Sequence, residues 1–139
     1  MTLKVASKRR LKRTRPSGMA AIRQIERGLS FHSLVRLGKT LDLPLERVGS
    51  LVRISARTLA RRKREGRFNF DESERIFRLM SVVDDVIELF EGDIGATRRW
   101  LLRPRPIFYQ QSALEFSKTE IGAGEVKDLI GRLAHGVFS

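Results

Sequence analysis

Apolar residues recur every three or four positions along the chain after Gly18, and no segment alternates strictly between apolar and polar residues. Residues 31–41 show the pattern first, because Leu34 and Leu37 lie on one stripe and Ser30 stands where a helix cap is favoured. Side chains three or four positions apart share one face of an α-helix, whereas side chains two positions apart share one face of a strand. The pattern therefore predicts an all-α protein.

Two more short helices are predicted on the amino side of Gly66. The first starts near Leu45 and has Val48 and Leu51 on its apolar stripe. The second starts after Ser55, a favourable N-cap, and ends at Gly66, which adopts a left-handed conformation at little cost. Two short helices joined by a few residues are typical of the helix-turn-helix motif, whose second helix enters the major groove of DNA. We therefore expect three short helices before Gly66, the last two forming this motif.

Four more helical segments are predicted in the second half of the chain, and the first of them is the longest. Their starts are expected at Asn69, Asp93, Ser112 and about Gly124. Asn69 and Glu72 are spaced for a capping box, and the prolines at 104 and 106 exclude helix around them. The pattern thus predicts that a longer helix joins the helix-turn-helix half to a small helical domain ending near Gly136.

Basic residues are concentrated in the first half of the chain. Residues 1–67 contain 19 Lys and Arg against 4 Asp and Glu, whereas residues 68–139 contain 9 against 12. Residues 1–17 contain no acidic side chain, and because like charges repel, we expect a flexible basic tail there. The alternatives for this tail are a solvated terminus and an arm that binds DNA. The uneven charge indicates a nucleic-acid-binding half joined to a half with a different partner.

The predicted helix after Ser55 carries most of the candidate chemistry. Its arginines recur with helical spacing, while Ala56, Leu59 and Ala60 share the face that we expect to pack inward. Arginine binds phosphate and also pairs bidentately with guanine. The candidate DNA-binding residues are Ser55, Arg57, Thr58, Arg61, Arg62 and Arg64. A merely solvated charged helix is the alternative, and RNA binding is less favoured because this half has few aromatic residues on which bases could stack.

Several classes of chemistry lack their usual residues. Cysteine is absent and the two histidines, His32 and His135, are far apart, so no metal site is predicted. No nucleophile elbow, phosphate loop or dinucleotide motif occurs, and we predict no catalytic residue, no cofactor and no enzymatic activity. No apolar run reaches the roughly 20 residues that a membrane helix needs. We therefore expect a cytoplasmic protein that has no membrane partner.

Five short motifs follow one another along the chain after Gly18. They are Ile54 to Arg62, Glu72 to Arg75 with Arg78, Trp100 with Leu101, Thr119 to Gly122, and Gly131 to Ser139. Each motif is weak by itself, but in this order they make the chain resemble the Xre-type antitoxins of the RES/Xre toxin-antitoxin class. The carboxyl part of those antitoxins is the Xre/MbcA/ParS toxin-binding domain.

The resemblance implies a bacterial antitoxin in two parts that follow the tail. Residues 18–80 would bind the operator DNA of its own operon as a helix-turn-helix domain, and residues 81–139 would block the active-site cleft of a RES-type toxin that degrades NAD. The residues implied in toxin binding are Trp100, Leu101, Thr119, Gly122, Arg132, Gly136, Val137, Phe138 and Ser139. The implied partners are the toxin and double-stranded operator DNA, and a homodimer is expected because one motif covers one half-site.

The residues alone leave other interpretations open. Trp100 is the only tryptophan, and it could fill the core instead of contacting a toxin. Val137 and Phe138 could fold back onto the protein instead of docking onto a partner. The whole chain could be a free-standing transcription regulator whose second half dimerises or senses a ligand, or an architectural nucleic-acid binder.

The chain departs from the family pattern in one connecting loop. The family usually shows a Gly-Gly pair followed by a proline between the tryptophan helix and the threonine turn. This chain has Tyr109, Gln110 and Ala113 in that region. We therefore expect the shape of this loop to differ from that in the family, and the loop's shape to affect which toxin the protein binds.

Overall fold

The structure, a computed structural model, describes residues 18–136. The predicted basic tail, residues 1–17, lies outside the described residues, as do Val137, Phe138 and Ser139. The helices found within residues 18–136 are α1 Gly18–Arg27, α2 Phe31–Leu41, α3 Leu45–Leu51, α4 Ala56–Glu65, α5 Phe70–Leu89, α6 Ile94–Leu102, α7 Ala113–Phe116 and α8 Glu120–Ala134. A 3-10 turn, Pro106–Phe108, lies between α6 and α7, and this range contains no strand beyond isolated bridges. The predicted all-α fold is confirmed.

Side-chain caps explain where most of the helices begin. In five helices, the residue before the first turn accepts a hydrogen bond from the backbone N–H three positions along. These caps are Ser55, Asn69, Asp93, Ser112 and Thr119. The Asn69 side chain accepts from Glu72 N at 2.8 Å, and the Glu72 carboxylate accepts from Asn69 N at 3.0 Å. The predicted capping box is therefore present.

Two predicted boundaries are wrong. The last helix begins at Glu120 instead of near Gly124, because Thr119 caps it and its first turns accommodate two glycines that are poor helix formers. Four helices precede Gly66 instead of three, because α1 forms a separate element before α2. Helix α1 is short and its exposed face carries Met19 and Ile22, so its apolar residues do not mark a single buried stripe.

Helix α5 is the centre of the fold. It packs against α1 from the first half of the chain and against α6 and α8 from the second. One continuous core extends from Leu34 and Leu41 through Ile76 to Leu101 and Val126, and these side chains are fully buried. Because burying a leucine or isoleucine side chain contributes roughly 1.5–3 kcal/mol, this shared core stabilises both halves together.

Two arginines also tie the halves together through backbone carbonyls. Arg75 of α5 donates from Nε to the carbonyl of Val52, in the turn between α3 and α4, at 2.7 Å. Arg98 of α6 donates from Nε to the carbonyl of Thr40, near the end of α2, at 2.8 Å. The last carbonyls of a helix have no partner within it, so a donor from another element both satisfies them and fixes the helix position. The helix-turn-helix motif is therefore held by the elements that follow it.

Candidate functional site

Helices α3 and α4 form the helix-turn-helix pair, and they approach closely at Gly49. A Cβ atom on Gly49 would lie 2.6 Å from Leu59 Cδ1 and 3.2 Å from the carbonyl oxygen of Ile54. The Ile54 N–H in turn donates to the Gly49 carbonyl at 2.8 Å, which closes the turn between the two helices. The small residue that permits this packing thus lies on α3, not on α4.

Most of α4 is exposed. Leu59 is 4% exposed and is the buried residue of this helix, whereas the alanines 56 and 60 lie at the surface. The prediction that these alanines pack inward is wrong, because Gly49 already brings the helices together. Arg57, Arg61 and Arg64 are exposed on the side of α4 opposite Leu59, as their helical spacing requires. We call these three residues the outer face of α4.

Ser55 and Thr58 have a structural role at the start of α4. The Ser55 hydroxyl accepts from Thr58 N at 3.1 Å and donates to Thr58 Oγ1, also at 3.1 Å. Ser55 is exposed and Thr58 is half-buried. An N-cap of this kind stabilises a helix by about 1 kcal/mol, so both residues position the arginines whether or not they touch DNA.

Arg62 lies apart from the other arginines of α4. Its guanidinium donates from Nε to Glu72 Oε1 at 2.7 Å, from Nη2 to Glu72 Oε2 at 3.1 Å, and from Nη1 to Glu65 at 2.8 Å. The side chain is 14% exposed, and the hydrogen bonds that Arg62 donates to Glu72 and then to Glu65 raise the pKa of Arg62. Arg62 therefore fastens α4 to α5, a placement that departs from its expected role as a DNA contact.

Glu72 serves both the cap of α5 and the ion pair with Arg62. Burial by itself would raise the pKa of Glu72, but the hydrogen bonds from Arg62 and from the backbone of Asn69 outweigh burial and lower it. The carboxylate is therefore ionised at neutral pH although its residue is 6% exposed. A buried charge is tolerated in a protein only when it is paired and hydrogen-bonded, as this one is.

A basic cleft adjoins the carboxyl end of α4, and residue spacing did not indicate it. It encloses about 220 Å³ and is lined by Gln24, Arg27, Gly28, Leu29, Ser30, Ser33, Arg36 and Arg67. The Phe31 N–H donates to the Gly66 carbonyl at 2.9 Å, which brings the start of α2 beside the end of α4. Arg67 donates from Nη1 to the Gly28 carbonyl at 2.6 Å. Three arginines distant in sequence therefore extend the basic surface beyond α4.

In the second half, two of the residues implied in toxin binding belong to the core. Trp100 is 9% exposed, and its ring meets that of Phe108 edge to face at 6.5 Å between centroids. The Arg105 guanidinium lies 4.7 Å from the centre of the Trp100 ring. Leu101 is fully buried. In the described structure these side chains therefore build the domain instead of facing a partner.

Thr119 and Gly122 form the turn into α8. The Thr119 hydroxyl caps the helix by accepting from Gly122 N at 3.0 Å, and Thr119 itself is exposed. Gly122 is buried, and a Cβ atom there would lie 1.8 Å from the carbonyl oxygen of Phe116. Glycine is thus required at this position by the close approach of α7 and α8.

The end of α8 remains open to solvent. Arg132 is exposed, and Gly136 is exposed with a φ of 65°, a left-handed conformation that ends a helix. The structure therefore leaves Arg132 and Gly136 exposed, whereas Trp100, Leu101 and Gly122 lie in the interior. Val137, Phe138 and Ser139 lie outside the described residues, so their predicted role stays a prediction.

Two kinds of feature are absent from residues 18–136, a membrane-spanning helix and a cluster of metal-binding side chains. No helix in this range is both long enough and apolar enough to cross a membrane. The same part of the chain contains no group of three or more His, Asp or Glu residues arranged to hold a metal ion.

The fold and the arginine-bearing α4 define a helix-turn-helix protein with a second helical domain. Residues 20–81 match the family model of the antitoxin Xre-like helix-turn-helix domain, and residues 86–136 match that of the antitoxin Xre/MbcA/ParS C-terminal toxin-binding domain. The antitoxin Xre of Yersinia enterocolitica is 37% identical over 123 residues, which cover 88% of this chain and 83% of that protein. The chain therefore belongs to the Xre antitoxin family, as its motifs had indicated.

Two more relatives show the same similarity over shorter stretches. The antitoxin Xre of Photorhabdus laumondii is 40% identical over 98 residues, which cover 66% of this chain and 64% of that protein. The antitoxin Xre of Pseudomonas putida is 30% identical over 84 residues, which cover 60% of this chain and 52% of that protein. The chain is thus an antitoxin with a helix-turn-helix domain and a toxin-binding domain.

Proposed function

We propose that this antitoxin neutralises a RES-type toxin that degrades NAD and represses its own operon by binding operator DNA. The observation that carries the proposal is the outer face of α4, where Arg57, Arg61 and Arg64 project from a helix-turn-helix motif. None of these three forms an ion pair with another residue between 18 and 136. Their charges are therefore available to phosphates and base edges.

The DNA-binding surface that we propose has two parts. The outer face of α4 enters the major groove, and Ser55 and Thr58 set the start of that helix. The basic cleft containing Arg27, Arg36 and Arg67 faces a backbone phosphate beyond the groove. Arg62 is not included, because its guanidinium is already bound to two carboxylates. A homodimer places two such surfaces on two half-sites of a symmetric operator.

The toxin-neutralising surface that we propose lies at the open end of α8. Arg132 and Gly136 are exposed there, and the chain continues into Val137, Phe138 and Ser139. Apolar residues that follow an exposed helix terminus suit insertion into a partner's cleft. In this mechanism the antitoxin acts by occupying the cleft, so no chemistry is required of its own side chains.

Co-expression with the reading frame next to this chain's gene, as the candidate toxin, tests the proposal directly. We expect the two proteins to co-purify and the toxin's consumption of NAD to stop in the complex. Truncation after Ala134 should restore NAD consumption at equal protein abundance, because it removes the residues proposed to fill the cleft. A truncated chain that still inhibits the toxin fully would contradict the occlusion mechanism.

The operator claim needs its own test. A DNA fragment from upstream of the gene should bind far more tightly than random DNA at the same salt concentration, because base contacts add to the phosphate contacts. Equal binding of both fragments would contradict operator recognition and favour non-specific DNA binding.

A further inference from the structure

The 3-10 turn between α6 and α7 exposes two large apolar side chains. Tyr109 is 79% exposed and Ile107 is 55% exposed, while Phe108 between them is 2% exposed and belongs to the core. The Tyr109 ring has one ring neighbour within residues 18–136, Phe116, at 6.1 Å between centroids. Exposed clusters of apolar side chains on a folded domain mark places where a partner binds.

The backbone at this turn does not favour tyrosine. Tyr109 and Gln110 have φ values of 54° and 69°, in the left-handed region that glycine adopts without a steric penalty. The turn is fixed by hydrogen bonds from Tyr109 N to the Pro106 carbonyl at 2.9 Å and from Gln110 N to the Arg105 carbonyl at 2.9 Å. The fold therefore requires this backbone conformation, and glycine would supply it better. The exposed ring at position 109 is not explained by folding.

Arg105 adds a charge beside this turn. Its guanidinium stacks on Trp100, and its Nε atom is buried with no hydrogen-bond partner. No carboxylate between residues 18 and 136 forms an ion pair with it. Burial, followed by the nearby charge of Arg103, lowers the pKa of Arg105, so a carboxylate from outside would relieve an unfavourable environment. The turn thus carries an exposed aromatic ring at position 109 and, at position 105, a cation that has no carboxylate partner among residues 18–136.

We propose that Tyr109 and Arg105 form a specificity contact with the toxin, in which the ring enters an apolar socket and the guanidinium pairs with a carboxylate at its rim. The toxin is the chosen partner because the turn lies within residues 86–136, the part that matches the toxin-binding domain. The inference rests on the proposed function, but it concerns residues of the 3-10 turn and not those at the end of α8. Aromatic and arginine side chains dominate the binding energy of protein interfaces.

Two neighbouring glycine substitutions give a matched test. Tyr109→Gly relieves the left-handed backbone and removes the ring, whereas Gln110→Gly relieves the same strain and keeps the ring. Both full-length variants should unfold at the same temperature as the original chain or at a higher one. Tyr109→Gly should bind the toxin that co-purifies with the original chain about thirtyfold more weakly, or about 2 kcal/mol at 1.4 kcal/mol per tenfold change. Gln110→Gly should bind within about twofold of the original chain.

Each outcome of calorimetric titration with that toxin decides between the claims. Toxin binding by Tyr109→Gly at the original affinity would overturn the specificity contact. A Tyr109→Gly variant that no longer forms a homodimer but binds the toxin with the original affinity would show that the turn serves self-association. That result would also overturn the specificity contact. If the original chain fails to bind the toxin, the proposed function falls and the inference falls with it. Should Tyr109→Gly misfold, Tyr109→Asn serves instead, because asparagine also tolerates the left-handed conformation.

Discussion

The two halves of the molecule use their distinctive side chains in opposite ways. On α4, the side chains Arg57, Arg61 and Arg64 make no ion pair within the described chain and contribute little to folding. In the second half, Trp100 and Gly122 are buried and hold α6, α7 and α8 together. Substitutions of the α4 arginines should therefore weaken DNA binding without changing stability. Substitutions of Trp100 or Gly122 should instead destabilise the fold, so that any loss of toxin binding could not be distinguished from unfolding.

Among these positions, Gly122 should be the most sensitive to substitution. The Cβ atom added by Gly122→Ala would lie 1.8 Å from the carbonyl oxygen of Phe116, which is far shorter than any van der Waals contact. We expect the free energy of unfolding, measured with urea, to fall by about 3 kcal/mol. Gly124→Ala is the matched control, because nothing lies within 4 Å of its Cβ position. The control should be neutral or stabilising, since alanine is the better helix former. Equal stability of the two variants would contradict the close approach of α7 and α8.

The next largest effect concerns the one arginine of α4 that does serve the fold. Glu72→Gln removes the buried carboxylate partner of Arg62 and should lower the free energy of unfolding by about 2 kcal/mol. The loss should be smaller than for a fully buried ion pair, because Arg62 keeps its contact with Glu65 and some contact with solvent. Glu65→Gln is the control, and it should cost at most about 1 kcal/mol because the Glu65 side chain is 50% exposed. A larger loss from the control would mean that Glu72 is not the main anchor of α4.

The Glu72 carboxylate should also make the stability of the protein depend on pH. The folded state lowers the pKa of Glu72 below its ordinary value of 4.5, so the unfolded chain takes up the proton first as the pH falls. The stabilisation is complete above that ordinary value and is lost as the pH falls through the folded pKa. Unfolding measured between neutral pH and pH values below 4.5 should show a flatter dependence for Glu72→Gln than for the original chain. Parallel curves would rule out Glu72 as the titrating group.

Substitution of Arg61 tests whether α4 is the DNA-binding surface. Arg61→Ala should weaken operator binding by about tenfold and leave the free energy of unfolding within about 0.5 kcal/mol of its original value. If Arg61 contacts a phosphate, the salt dependence of binding should also become shallower by about 0.9 in its logarithmic slope. Arg99→Ala changes an exposed arginine on α6 and should leave operator binding unchanged. Loss of affinity in both variants alike would indicate a general effect of charge.

The sequence predicted those features that depend on neighbouring residues. Caps such as Ser55 and Asn69 fixed where helices begin, because each cap and its partner lie within one turn. The direction of Arg62 could not be predicted, since Glu72 reaches it only after α5 folds back against α4. Gly122 matched a family motif, but its reason, contact with the Phe116 carbonyl, depends on the packing of two helices.

The basic cleft and the turn at Tyr109 also show which features could not be predicted from the sequence alone. Arg27, Arg36 and Arg67 meet only because the start of α2 lies beside the end of α4. The departure from the family's Gly-Gly pair at Tyr109 was visible in the sequence, but its left-handed backbone and its exposure required the structure. Tertiary contacts between distant residues are therefore the part that local patterns leave undetermined.

Toxin neutralisation and operator binding are proposed to use two surfaces that act independently. The decisive experiment is to measure how well the double variant Arg57→Ala with Arg61→Ala inhibits the toxin's NAD consumption, at a salt concentration where its operator binding is abolished. We expect complete inhibition at the same molar ratio as the original chain, because both substitutions lie on the exposed face of α4. Inhibition that is lost together with operator binding would contradict it.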